Sequence, residues 1–90
     1  MENEKLQKLL EQVQNELEHT QDIDAQGQEM LQALDKDIKN LLGRIEKGQL
    51  QAHPSTIQRL ENTIDHFEVT HPTLSATLAK LLAVLGNAGI

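Results

Sequence analysis

Apolar side chains recur along this chain at helical spacing, and the interruptions between them mark out four elements. Leu6, Leu10, Val13 and Leu17 are spaced four, three and four residues apart, with Leu9 beside them, and predict a helix over residues 2–20. Glu2 and Glu4 stand in its first turn, where negative charge complements the helix dipole. The segment Thr20-Gln21-Asp22-Ile23-Asp24 breaks the pattern. Asp22 and Asp24 are both good N-cap residues, and Ile23 between them could act as a hydrophobic staple. A second helix over 24–47 follows, with Leu31, Leu34, Ile38, Leu41 and Ile45 at alternating three- and four-residue steps and Met30 and Leu42 widening the stripe. Lys36, Lys39, Arg44 and Lys47 crowd its C-terminal half, Gly43 weakens its last turns, and Gly48 supplies a stop. The turn around residue 22 is short, so helices one and two should form an antiparallel hairpin.

Residues 48–54, Gly-Gln-Leu-Gln-Ala-His-Pro, read as a linker, after which Ser55 and Gln58 have the spacing of a capping box. Ile57, Leu60, Ile64 and Phe67 then predict a third helix over 55–69. His71 precedes Pro72 and is pushed out of the α region, while Pro72 suits the first position of a fourth helix over 72–86, closed by Gly86 and Asn87. From Leu74 to Leu85 the polar residues are only Ser75, Thr77 and Lys80, so this helix is apolar around most of its circumference and must be surrounded by something. The polar-faced helices before it are the expected cover. No helix sustains more than three heptads, so coiled-coil-like seams within a compact bundle are favoured over an extended coiled coil. The expected fold is all-α: an antiparallel helical hairpin followed by two shorter helices, bundle-like, in one domain over 1–90. An elongated hairpin whose C-terminal helices dock in a dimer is the alternative.

Composition narrows the function more than it defines it. With one Phe, no Trp or Tyr and no Cys in 90 residues, the core must be aliphatic, and neither a disulfide framework nor a thiolate metal site is available. The start, Met1-Glu2-Asn3-Glu4-Lys5, is acidic and polar, unlike a secretory signal, and the run from Leu74 to Leu85 is about half of a membrane span. A cytoplasmic, soluble protein is expected. The chain is acidic, with a net charge of −6; residues 1–48 carry six Lys/Arg against eleven Asp/Glu, and the rest carries two against three. With no basic cluster, neither a nucleic acid nor a membrane surface is an expected partner.

The run His66-Phe67-Glu68-Val69, then His71-Pro72-Thr73-Leu74, Thr77-Leu78 and the final Asn87-Ala88-Gly89-Ile90 resembles the family catalogued as domain of unknown function 4404, short bacterial proteins. The Leu- and Glu-rich N-terminal hairpin and the total length are similar to that family as well, so the resemblance covers the whole chain, with the C-terminal motif its specific part. It implies a small, helical, bacterial protein and supplies no catalytic residues.

Among groups capable of chemistry, His66 and His71 flank the turn between helices three and four, with Asp65 and Glu68 nearby, and imidazole with carboxylate suits zinc. Five residues apart, however, the two histidines do not share a helix face, and plainer readings are favoured: His71 as a helix cap or packed under Pro72, and His66 on the exposed side opposite Ile64 and Phe67. Asp22/Asp24 and Asp35/Asp37 are paired carboxylates, for which helix capping and a solvated face are the plain readings. Ser55 and Ser75 sit at helix starts without a hydrolase context. The strongest signal is the apolar excess of helix four, either the centre of a monomer's core or an interface. We therefore expect a non-enzymatic, self-associating protein–protein interaction module without cofactor. It would be a homo-oligomer, a dimer first, open to a further protein partner. Its seam would be formed by Leu74, Leu78, Leu81, Leu82 and Leu85 with Phe67 and Ile64. The alternative is a metal- or small-ligand-binding protein using His66, His71 and nearby carboxylates. A third reading, from charge alone, has the acidic chain occupying a basic surface on a partner.

Overall fold

The computed structural model describes residues 2–48 and 54–88. Four helices, α1 (Glu2–His19), α2 (Ala25–Glu46), α3 (Pro54–Phe67) and α4 (Pro72–Ala88), account for almost all of them, and no strand occurs among the described residues. Each helix packs on the next and α4 closes back on α1, while the backbones of the diagonal pairs stay apart among the described residues. This is the neighbour order of a four-helix bundle with short up-and-down connections. Its extents of 36 × 21 × 19 Å are those of a bundle one helix long, since the 22 residues of α2 rise about 33 Å at 1.5 Å each.

Local chemistry sets most helix ends. Asp24 is the N-cap of α2, its side chain accepting from the Gly27 N–H at 2.8 Å, and Ile23 is half-buried against the core. Asp22, the other candidate cap, instead takes a left-handed conformation with φ 58° and turns the chain between α1 and α2, a region that Asp tolerates better than most side chains. Gly48, at φ 80°, follows α2 and donates its N–H to the Ile45 carbonyl at 2.9 Å, as a C-terminal stop does.

The later boundaries depart from the sequence reading. Pro54 belongs to α3 as its first residue, so Ser55 lies inside the helix rather than ahead of it; proline loses nothing there, because an N–H at that position has no helical partner. Helix α3 ends at Phe67 rather than 69, and the His71 N–H returns to the Phe67 carbonyl at 2.8 Å. Gly86 does not end α4, which continues to Ala88. The expected linker residues 49–53, and Gly89 and Ile90 of the tail, lie outside the described residues.

The core is aliphatic apart from Phe67, and every helix contributes: Leu6, Leu10 and Val13 from α1; Leu31, Leu34, Ile38, Leu41 and Ile45 from α2; Leu60 and Phe67 from α3; Leu74, Leu78, Leu81 and Leu85 from α4. Two expectations are corrected. The buried line of α3 is Thr56, Leu60, Thr63 and Phe67, whereas Ile57 and Ile64 are only half-buried. The helix is rotated so that the isoleucines flank the seam and threonines enter it. The Thr63 hydroxyl donates to the Arg59 carbonyl at 2.7 Å, which satisfies it inside the helix and leaves its methyl group to pack. Nor is α4 the enclosed centre of the fold. It is one of four walls, touching α1 and α3, and Ala76, Ala79, Lys80 and Ala83 face outward. Its apolar circumference is leucine on the inside and mainly alanine on the outside.

Candidate functional site

Two places in the bundle collect the side chains with chemical potential. The first is the end where the α1–α2 and α3–α4 turns meet. The His66 ring at the end of α3 donates from Nε2 to Asp24 Oδ1 at 3.0 Å, the same oxygen that caps α2. His71, before α4, donates from Nε2 to the Gln21 carbonyl at 2.8 Å and faces the Thr70 hydroxyl with Nδ1 at 2.9 Å. A carbonyl oxygen only accepts, so the Nε2 proton is fixed, and in the neutral ring Thr70 donates to Nδ1. Both imidazoles meet the Phe67 ring edge-on, with centroids 4.9 and 5.3 Å away.

Phe67 in turn lies against Gly27. A Cβ at Gly27 would stand 2.8 Å from Phe67 Cζ, 2.8 Å from Ile23 Cγ2 and 2.5 Å from Asp24 Oδ1. The motif from His66 to His71 is thus a clasp that binds two loops together. The His66 hydrogen bond, then the Gly27 N–H, hold the Asp24 carboxyl below its ordinary value of 3.8.

This clasp uses both histidines that sequence reasoning offered as metal ligands. Each is engaged by a different residue of the α1–α2 turn, and no group of three or more His, Asp or Glu placed to hold a metal ion occurs among the described residues. The carboxylate pairs are separated in the same way. Asp22 forms the turn and Asp24 the cap, while Asp35 pairs with Lys39 at 3.1 Å along α2 and Asp37 with Arg59 across to α3. Ser75 is buried near the Ile64 carbonyl, and among the described residues no hydroxyl–imidazole arrangement of the catalytic kind is assembled around it.

The second place is the valley between α1 and α4. One recess of about 460 Å³ is lined by Lys5, Lys8, Leu9 and Gln12 of α1 and by Lys80, Ala83 and Val84 of α4. A second, of about 300 Å³, lies further along the same pair of helices, between Glu16, His19 and Thr20 on one side and Pro72, Thr73 and Leu74 on the other. Residues 5, 8, 12, 16 and 19, with Leu9 beside them, recur every three or four positions next to the buried stripe of α1. Sequence reasoning passed over this second stripe because it is mostly polar, although its spacing was legible.

Of the residues expected at an interface, Phe67, Leu74, Leu78, Leu81 and Leu85 are at most 3% exposed and lie in the chain's own core. Ile64 and Leu82 are half-buried against it. What α4 leaves open is its outer alanine face and the valley beside it. No helix among the described residues is long and apolar enough to cross a membrane.

No curated protein and no solved structure matches the chain. The model of one family does, over residues 6–90, and the chain accordingly belongs to the family described as a domain of unknown function, DUF4404.

Proposed function

We propose that this protein is a non-enzymatic helical module that acts through protein–protein contacts and self-associates through its α1–α4 face. The observation that carries the reading is the uncovered valley, where the partly buried Leu9 and Val84 line one recess together with the outward Ala83. Short side chains let another backbone approach closely, and half-covered apolar ones gain from being covered. The clasp supports the non-enzymatic part, since its imidazoles and carboxylate are already spent on joining turns. On this reading the protein acts in a bacterial cytoplasm, which suits a chain without cysteine.

Sedimentation equilibrium over a wide concentration range tests the proposal. A mass that rises from one to two chains supports it; a monomer at every concentration refutes self-association.

A further inference from the structure

The charges along the valley are not evenly spread. Lys5 and Lys8 stand on its α1 wall at one end, with Lys80 opposite on α4, and Glu16 stands on the same α1 wall beyond Gln12. These are three of the chain's eight Lys/Arg residues gathered in one recess; the remainder carries five against fourteen Asp/Glu. Helix α4 contributes no acidic residue to either end. Lys8 is exposed and Glu16 half-buried. Among the described residues Lys5, Lys8 and Lys80 form no ion pair. Glu16 accepts only from Gln12 through its side chain, at 3.3 Å.

A stripe that is positive at one end and negative at the other complements itself when reversed. Lys8 and Glu16 each lie four residues from Gln12, which is about 6 Å along the helix axis on either side. Two copies laid antiparallel about a two-fold axis at Gln12 place Lys8 of each against Glu16 of the other. A parallel copy would set lysine on lysine. Two-fold axes are also the commonest way for identical chains to close an assembly. Resting on the self-association proposed above, we infer that the valley's occupant is the same valley of a second copy, antiparallel, with Lys8 paired to the partner's Glu16 on both sides of the axis.

Lys8 and Glu16 are eight residues apart on one helix, about 12 Å along its axis, too far to pair within a chain. Charge reversal therefore reads the contact between chains. Lys8→Glu and Glu16→Lys should each weaken the dimer about five- to tenfold in sedimentation equilibrium at low salt, because two attractive pairs become repulsive. An equimolar mixture of the two variants should dimerise more tightly than either alone, since the mixed pair restores both contacts, and the double variant should recover most of the wild-type affinity. Circular dichroism melts establish that each variant is folded. Wild-type dimerisation with single variants unchanged, or with a mixture no tighter than the average of its components, overturns this arrangement and leaves self-association standing. A wild-type monomer at all concentrations removes both.

Discussion

At Gly27 and Gly43 of α2 the same substitution has opposite consequences. A methyl group at Gly27 would meet Phe67, Ile23 and the capping oxygen of Asp24 at under 3 Å, whereas nothing lies within 4 Å of a Cβ at Gly43. Gly27→Ala should thus destabilise the fold by about 1–3 kcal/mol through overpacking, and Gly43→Ala should stabilise it by up to about 1 kcal/mol through helix propensity. Urea titrations of the two variants check both signs. Asp24 belongs to the same cluster. Its folded carboxyl titrates below its ordinary 3.8, so the ionised form contributes stability above that value, and the contribution is lost as pH falls through the depressed folded value. Acid-limb melts should show a steeper loss in wild type than in Asp24→Asn. Equal slopes would show that the His66 contact is not formed in solution.

Within α3, the sequence pattern and the packed helix differ by about one position of rotation. Periodicity counts Ile57 and Ile64 as inward because they are apolar and counts Thr56 and Thr63 as outward because they are polar. The bundle reverses the order, with Thr63 fully buried and the isoleucines half-covered. Leu60→Ala, at a site with no exposure, should cost about 2–5 kcal/mol. Ile57→Ala should cost clearly less, because part of that side chain is still in water; chemical denaturation of the pair reads the rotation of the helix. For α4, Leu81→Asp would place an unpaired charge at a position with no exposure, a penalty of several kcal/mol. That is comparable to the whole margin of a small domain. Loss of helical circular dichroism at ambient temperature is the expected result.

As a whole molecule the chain closes its core with no second copy. The fourth helix shares that core on equal terms with the other three, so the search for a contact surface moves outward from the leucines to the valley. The ring of contacts from α1 through α4 is mostly between sequential helices, and such local topology favours fast folding. The clasp closes one end of this ring across long separations. His66 reaches Asp24 over 42 residues and His71 reaches Gln21 over 50. Phe67→Ala, which removes the centre of the clasp and a fully buried ring, should cost about 3–5 kcal/mol. Phe67→Leu, which keeps most of the volume, should cost markedly less. Thermal melts separate the two.

By itself the sequence determined four helices, the hairpin turn, a cap at Asp22 or Asp24 and the entry of α4 at Pro72, because periodicity, caps and proline act through neighbours a few residues away. Only the tertiary structure decided that threonines rather than isoleucines fill the α3 seam, that Gly27 makes room for Phe67, and that His66 and His71 tie loops together. It also decided which stripe of α1 lies beside α4 to form the valley. Each of these depends on which surfaces two helices present to one another. That is settled by shape and burial among residues distant in the chain, where a spacing rule carries no information.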